Sequence, residues 1–228
     1  GAASFASWKR GQRPTPMQHV YLGPAYTTEQ CLEACEQHPE SPVYERYENI
    51  VDKTAELLND GNPVAWCQGR MEFGPRALGG RSILGNPGFE GIADKINEQI
   101  KFRERWRPFC PSILDTIASD MIQTEHPAPF MTITFTVAKE WRQRVPEVVH
   151  EDGTSRVQIV DPKTNPRYYA LLQKMERLNG NGVLLNTSMN RRGEPMVCSP
   201  RDALNMFYGS DLEYLVLEDL LVTKRKNR

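Results

Sequence analysis

GVLLNTSMNRRGEPMVCSPRDAL, residues 182–204, carries a strand signal, a turn signal and a helix signal in close succession. The apolar run predicts a buried β-strand that ends at Asn186. A turn rich in hydroxyl, amide and backbone N–H groups follows it. Ser199 is a good N-cap and Pro200 suits the first helical position, so a helix is predicted next. The succession indicates a domain that combines strands and helices.

The chain from residue 64 onward alternates strand and helix signals in the same way. The sequence predicts strands over 64–68, 131–137, 156–161 and 213–219, and helices over 91–100 and 167–180. Apolar residues alternate with threonines in 131–137, which indicates a strand with one buried face. The segment 213–219 is expected to close the sheet. We therefore predict an α/β (α+β) domain, a twisted mixed β-sheet with flanking helices.

The composition of the chain and its predicted elements change near residue 62. Before that point, a segment rich in proline, glycine and basic residues leads to a predicted helix from about Thr28, with Thr27 and Gln30 as a capping box. A second helix is predicted over 47–59 and ends at an Asn-Asp-Gly-Asn-Pro turn. We predict two parts: residues 1–62 as a linker with entry helices, and residues 63–228 as the α/β domain.

Composition limits the classes of function. With 228 residues and 39% apolar content, the chain can bury a substantial core. Its formal net charge of −1 creates no overall field that would attract nucleic acid or a membrane. No apolar run is long enough to span a membrane, and the five cysteines form no C-x-x-C motif. We expect a cytoplasmic protein with no metal site, no membrane contact and no nucleic acid partner.

Positive charge is concentrated in two stretches. The first, GRMEFGPRALGGRSIL at residues 69–84, reads poorly as either helix or strand. It places Arg70, Arg76 and Arg81 among glycines, which let backbone N–H groups approach a ligand closely. We expect the missing partners of these arginines to be oxygen atoms of an anionic ligand.

The second basic stretch is KFRERWRP at residues 101–108. Its cations stand at every second position, so a strand here would present all of them on one face, where an anion should offset their repulsion. A solvated edge strand that buries Phe102 and Trp106 is an alternative explanation of the same spacing. The spacing alone does not decide between these two.

The turn after Asn186 adds neutral hydrogen-bonding groups. Thr187, Ser188 and Asn190 follow the predicted strand end, where hydroxyls, amides and free N–H groups suit phosphate oxygens, although such turns are also common before helices. The sequence contains no Walker, G-x-G-x-x-G, nucleophile or zinc motif. What remains is a site for a highly charged anion, of the kind used in phosphoryl or nucleotidyl transfer.

Four long segments together resemble the C-terminal domain of the O-carbamoyltransferases, a family that includes nodulation and antibiotic-tailoring enzymes. They are GRMEFGPRALGGRSIL, KFRERWRPFCPSIL, VVHEDGTSRVQIVDPKTNPRYYALL and GVLLNTSMNRRGEPMVCSPRDAL, in the family's order. The resemblance runs from about Val64 to the C-terminus and implies a fold similar to YrdC/Sua5. It also implies that residues 1–9 are the tail of an N-terminal Kae1-like domain, which would hold iron or a similar metal.

The resemblance implies a reaction. This chain would bind carbamoyl phosphate and ATP with Mg²⁺ and form carbamoyl-adenylate, which the N-terminal Kae1-like domain of the same polypeptide passes to a hydroxyl of a sugar-type or natural-product acceptor. Lys101 and Arg103 match the family's K-x-R element and would neutralise phosphates. Ser188 and Asn190 match its S-x-N element and would bind phosphate oxygens. The other residues expected at the site are Arg70 in catalysis, and Arg76, Arg81, Asn186, Thr187 and His150 in substrate binding.

Two alternatives stay open. His150 falls on the histidine of the family's HVDGTARVQ motif, and a structural role is as consistent with that position as a role in the site. A non-catalytic nucleotide- or RNA-binding module of the same fold is the alternative function. The net charge of −1 counts against it, because no basic stripe extends beyond KFRERWRP.

Overall fold

One large twisted sheet organises the fold. A computed structural model describes residues 1–104, 106–124 and 126–224. The strands are β1 (Val43–Arg46), β2 (Val64–Cys67), β3 (Arg81–Gly85), β4 (Cys110–Leu114), β5 (Thr134–Thr136), β6 (Thr154–Arg156), β7 (Gln158–Val160), β8 (Val183–Ser188), β9 (Tyr214–Leu217) and β10 (Leu220–Thr223). Within the described residues, eight of them form a sheet in the order β1-β10-β9-β2-β3-β8-β4-β7, and β5 pairs with β6. The β2-β9 and β4-β7 pairs are parallel and the others antiparallel.

Helices cover this sheet. The α-helices are α1 (Ala2–Lys9), α2 (Thr28–Glu36), α3 (Ile50–Asn59), α4 (Ile92–Ile96), α5 (Ala118–Ile122), α6 (Lys139–Arg144), α7 (Pro166–Asn179) and α8 (Pro200–Tyr208). A π-helical turn over Asn97–Lys101 extends α4, and short 3-10 turns cover Asp115–Ile117 and Pro146–Val148. Helix α7 packs on α3, β4 and β8, while α8 packs on α2, β2 and β9. These contacts confirm the predicted α/β architecture with flanking helices.

The centre of the sheet is the core. Every residue of β2 and β3 is buried, and since successive strand residues point to opposite faces, both faces of the sheet centre are covered. Trp66 and Ile83 are completely buried there. Burial of such a side chain contributes about 1.5–3 kcal/mol, so this apolar layer is the main support for the loops at the strand ends.

Helix ends follow the sequence signals closely. The Thr27 hydroxyl accepts from the Gln30 backbone N–H, while the Gln30 side chain accepts from Thr27 in return, as the capping box predicts. Ser199 forms a second capping box with Asp202 at the start of α8. Helix α7 ends at Gly180, whose φ of 78° is a left-handed conformation that favours glycine. Local hydrogen bonding therefore determines these boundaries.

Much of the predicted N-terminal arm packs into the domain. Strand β1 pairs with β10 at the edge of the main sheet, α3 packs on α7, and α2 packs on α8. The sequence did not predict β1, because its residues are all exposed and show no alternation of apolar and polar side chains. Helix α1, by contrast, has no buried residue. The predicted boundary near residue 62 thus does not coincide with a break in packing.

The predicted strand over the second basic stretch is wrong. Lys101 is the last residue of the π-helical turn, and Phe102 adopts a left-handed conformation with φ 45°, which ends the helix. None of the described residues from 102 to 109 is in a strand, and Arg105 lies outside the described residues. The period-two pattern of cations therefore does not form a face. Lys101 is buried, whereas Trp106 is 75% exposed.

Other strand predictions are correct in part. Within 131–137 only Thr134–Thr136 forms a strand; Met131 and Val137 are buried and Phe135 packs against the core, whereas Ile133 is exposed. The predicted strand over 156–161 is divided at Val157 into β6 and β7, which belong to different sheets. Strand β9 does not close the sheet, because β10 and β1 lie beyond it. The stretch 69–84 contains the start of β3.

Candidate active site

The K-x-R and S-x-N elements meet in space. Lys101 ends the π-helical turn after α4, and its ammonium group reaches the end of β8. It donates to the Asn190 side-chain oxygen at 2.8 Å and backbone oxygen at 3.0 Å, and also to the backbone oxygen and hydroxyl of Ser188. The Ser188 hydroxyl donates to Asn190 Oδ1 at 2.6 Å. Lys101 therefore holds the turn after β8 in place.

The ammonium group of Lys101 lies in an unusual electrostatic environment. The residue is only 6% exposed, and no carboxylate among the described residues pairs with it. Burial, reinforced by the nearby charge of Arg103, lowers the pKa of Lys101 to about 7. The protonated form would gain from an anion close by, because the anion would offset both of these effects.

Arg103 is positioned by its backbone and has unused donors. The Asn97 side chain donates to the Arg103 carbonyl at 2.7 Å and accepts from its N–H at 3.1 Å. The guanidinium carbon lies 4.1 Å from the ring centroid of Phe109. Nε and Nη2 of Arg103 are buried, and no described residue accepts a hydrogen bond from them. Burial lowers the pKa of this guanidinium, yet arginine stays charged at neutral pH.

Two cavities share Arg103 and Ser188 in their linings. The larger one has a volume of about 340 Å³, and its lining also includes Lys101, Glu104, Arg107, Asn190, Arg191, Arg192 and Gly193. The smaller one, of about 100 Å³, is lined by Arg76, Arg156, Cys110, Asn186 and Thr187 among others. The structure thus brings together seven residues that the sequence placed at the site: Arg76, Lys101, Arg103, Asn186, Thr187, Ser188 and Asn190.

Arg156 is a site residue that the sequence reasoning missed. It belongs to β6, and its Nη2 donates to Cys110 Sγ at 3.0 Å on the neighbouring wall of the small cavity. Its Nε is buried without an acceptor among the described residues. Its position in the segment HEDGTSRVQ could have indicated a role in the site, but only His150 of that segment was included in the prediction. Arg76, Arg103 and Arg156 give the small cavity three guanidinium groups and no carboxylate.

Arg81 was expected to bind the ligand, but its donors are taken within the chain. It is 1% exposed, and its guanidinium makes five hydrogen bonds of 3.0–3.3 Å to backbone carbonyl oxygens. Arg81 lines neither cavity. In this structure it joins separate loops through the carbonyls of Pro24, Gln68, Gly69, Gly80 and Cys198. We therefore leave Arg81 out of the site.

Arg70 also has partners within the chain and lines neither cavity. Its Nε and Nη2 donate to the carbonyls of Tyr21 and Leu22 at 3.1 and 3.0 Å. The loop between Arg70 and Arg81 is organised by Glu72, a buried carboxylate that accepts from several backbone N–H groups. We therefore leave Arg70 out of the site, and of the three arginines in this stretch only Arg76 faces a cavity.

His150 lines neither of these two cavities. It lines a wide cleft of about 700 Å³ whose lining also contains Trp106 and Pro108. Its Nδ1 is 3.1 Å from the Thr154 hydroxyl, and Nε2 is buried without a partner among the described residues. Five acidic residues line this cleft: Asp94, Glu104, Glu147, Glu151 and Asp152. The excess of negative charge in this lining, five acidic residues beside Arg107 and His150, disfavours a triphosphate.

The described residues provide neither a metal-binding cluster nor a membrane-spanning helix. The described residues contain no group of three or more His, Cys, Asp or Glu side chains that could hold a metal ion. The cationic lining of the two cavities likewise offers no ligand set for a metal of the protein's own. None of the described helices is long and apolar enough to cross a membrane.

The sequence is similar to that of known carbamoyltransferases. Residues 55–224 match the family model of the carbamoyltransferase C-terminus. The nodulation protein NolO of Bradyrhizobium diazoefficiens is 38% identical over 235 residues, a match that covers 99% of this chain and 42% of NolO. The chain spans less than half the length of the curated relatives it matches.

The fold has counterparts among solved structures. Full-length HypF in its phosphate- and nucleotide-bound form superposes with a TM-score of 0.51 at 16% identity, covering 82% of this chain and 23% of HypF. Sua5 of P. abyssi in complex with L-threonine superposes with a TM-score of 0.52 at 19% identity, covering 77% of this chain and 48% of Sua5. These matches confirm the YrdC-like fold. Because the family model covers most of its length, the chain belongs to the carbamoyltransferase C-terminal family.

Proposed function

We propose that this chain binds carbamoyl phosphate and ATP in the two cavities that share Arg103 and Ser188, and forms carbamoyl-adenylate there. The observation that carries the proposal is the pair of buried, unpartnered donors on Arg103, a residue that lines both cavities. Buried guanidinium N–H groups without an acceptor are costly unless a ligand satisfies them, and an anion does so best. Family membership suggests carbamoyl phosphate as that anion.

The two cavities suit different parts of the substrates. The small cavity, with three guanidinium groups, fits a small dianion such as carbamoyl phosphate. The larger one brings the positive charges of Lys101 and Arg103 to the phosphates of ATP, while the Ser188 hydroxyl and the Asn190 amide donate within the chain and shape the turn after β8. HypF, a neighbour in fold, has been crystallised with phosphate and nucleotide, which is in keeping with this assignment.

The proposed chemistry consumes one water molecule. Water takes the place of phosphate on carbamoyl phosphate, which gives inorganic phosphate and carbamate. A carbamate oxygen then attacks the α-phosphorus of ATP, the bond to pyrophosphate breaks, and carbamoyl-adenylate forms. Lys101 and Arg103 would stabilise charge on the phosphate oxygens as these bonds change, which is the main contribution a protein makes to such reactions.

The other components come from outside this chain. Magnesium would enter with ATP and be held by its phosphates, supplying further charge neutralisation when bound. A Kae1-like domain of the whole protein, holding iron or a similar metal, would pass the carbamoyl group to a hydroxyl acceptor. We place the reaction in the cytoplasm, because all five cysteines are free, as suits a reducing compartment.

ATP–pyrophosphate exchange that depends on carbamoyl phosphate tests the proposal. Arg103→Gln should lower the exchange rate at least about a hundredfold, because it removes a charge that faces the reacting phosphates. Its fold should be preserved, since two of the donors it loses have no partner in the described chain. Lys101→Ala should show a loss of similar size. Arg177→Gln, on the exposed side of α7, is the matched control and should leave the rate unchanged.

Two results would count against the proposal. Exchange that survives both substitutions would remove Lys101 and Arg103 from the reaction. Salt-dependent binding of RNA, with no affinity for ATP or carbamoyl phosphate, would favour the non-catalytic binding module instead.

A further inference from the structure

Asn186 has a buried oxygen atom that lacks a donor. The residue lies in β8, directly opposite Cys110 of β4, and is 2% exposed. Asn186 lines the small cavity, together with Arg76, Arg103 and Arg156. No described residue donates a hydrogen bond to Asn186 Oδ1. A buried polar group in this state usually has a partner that is not part of the chain.

The orientation of this amide is well determined. Asn186 Nδ2 donates to the Ala77 carbonyl at 3.1 Å and to the Ser112 hydroxyl at 3.0 Å. The Ala77 carbonyl can only accept, so exchanging the oxygen and nitrogen of the amide would place two acceptors against each other. Oδ1 is therefore the free end, and it is an acceptor held rigidly by its neighbours.

The cavity thus combines two requirements for a ligand. Its three guanidinium groups require an anion, and the Asn186 side-chain oxygen requires a hydrogen-bond donor. Carbamoyl phosphate meets both, since its phosphate is the anion and its NH₂ group is the donor. Acetyl phosphate has the same charge and nearly the same shape, but carries a methyl group where the donor is needed.

We infer that Asn186 Oδ1 accepts a hydrogen bond from the carbamoyl NH₂ group and so selects carbamoyl phosphate over acyl phosphates. This inference rests on the proposed function, and it goes further by assigning the selection of the carbamoyl group to one atom. An acetyl group would leave Oδ1 without a donor, and sites built around a hydrogen bond reject ligands that lack it. Asn186 is thus a specificity residue, distinct from the cations that bind phosphate.

Calorimetric titration of the unmodified chain with three ligands tests the inference without any change to the protein. Carbamoyl phosphate should bind at least about tenfold more tightly than acetyl phosphate, because only the former satisfies Oδ1. Inorganic phosphate gives the contribution of the cations alone. Equal affinities for carbamoyl and acetyl phosphate would overturn the inference, since a water molecule would then satisfy the acceptor in both complexes.

A substitution adds a second test. Asn186→Leu should weaken carbamoyl phosphate binding to the level of acetyl phosphate, while the affinity for inorganic phosphate stays within about twofold. Asn181→Leu removes another buried amide, which accepts from Arg144 far from the cavity, and should keep the tenfold preference. If Asn186→Leu does not fold, the three titrations of the unmodified chain still decide the question.

The outcomes separate the inference from the proposed function. A preference for carbamoyl phosphate that persists in Asn186→Leu would overturn the role of Asn186 and leave phosphate binding in place. Failure of carbamoyl phosphate, acetyl phosphate and inorganic phosphate alike to bind would overturn the proposed function, and the inference with it. A preference that Asn186→Leu abolishes, with phosphate binding retained, would support both.

Discussion

Replacing Arg81 by methionine should strongly lower the stability of the fold rather than merely weaken ligand binding. The guanidinium group of Arg81 donates to five backbone carbonyls, and two of these hydrogen bonds, to Gln68 and Gly80, are fully buried. Methionine matches much of the volume of arginine but donates nothing. The substitution therefore leaves three carbonyl oxygens without a donor, and water cannot reach the buried one, that of Gln68.

The expected size of this effect follows from the contacts. A buried carbonyl that loses its donor costs about 1–3 kcal/mol, and a half-buried one costs less because water reaches it. The Gly80 and Pro24 carbonyls keep the backbone N–H groups of Gln68 and Met71 as donors. One buried carbonyl and two half-buried ones, those of Gln68, Gly69 and Cys198, therefore lose their donor, which gives a loss of about 3 kcal/mol in the free energy of unfolding. Total stabilities are about 5–15 kcal/mol, so Arg81→Met should lose a large fraction of the total stability. Arg81→Lys keeps the charge and up to three donors, and should lose about half as much.

Urea denaturation followed by circular dichroism measures this loss, with Arg76→Met as the matched control. Arg76 is exposed, and no described residue accepts a hydrogen bond from it, so its substitution should change the free energy of unfolding by less than about 0.5 kcal/mol. The affinity for phosphate should respond in the opposite way: it should fall strongly in Arg76→Met and much less in Arg81→Met. The reasoning is refuted if Arg81→Met is as stable as the unmodified chain while its phosphate affinity is lost.

Two further predictions follow from buried charges. The pKa of Lys101 is lowered to about 7 in the folded chain, so the unfolded chain binds more protons above that pH and the free energy of unfolding should rise from pH 7 to 9. Chemical denaturation at several pH values should detect this rise, and Lys101→Met should reduce it. Glu72 accepts from the backbone N–H groups of Leu78 and Gly80 at 2.6 Å each, so Glu72→Ala should lose about 3 kcal/mol in the same assay. A loss below about 1 kcal/mol would show that this carboxylate does not organise the loop.

Short-range signals predicted part of the structure well. The capping boxes at Thr27 and Ser199, the glycine end of α7 and the buried runs of β2 and β8 are all visible in a few neighbouring residues. Each of these features depends on hydrogen bonds or burial within one element, so the order of residues is enough to indicate it. The K-x-R and S-x-N elements were identified in the same way, by their fit to a motif.

Patterns of charge were less reliable. The spacing of the cations in 101–108 suggested a strand. Instead, a π-helical turn ends at Lys101, and the left-handed conformation of Phe102 prevents an extended strand from starting there. Arg156 was missed because one arginine in a strand carries no signal of its own, and it becomes a site residue only where β6 brings it to Cys110. The wide cleft beside His150 was equally invisible from the sequence.

By itself, the sequence determined the class of fold, the family, and the residue types available for binding an anion. The tertiary structure alone decided which arginines are free to bind it. Arg76 and Arg81 are five positions apart in a stretch that gives them similar surroundings, but one is exposed at a cavity and the other is surrounded by carbonyls from distant loops. The physical reason is that a cation's role depends on which acceptors lie within about 3 Å, and these come from residues far away in the chain.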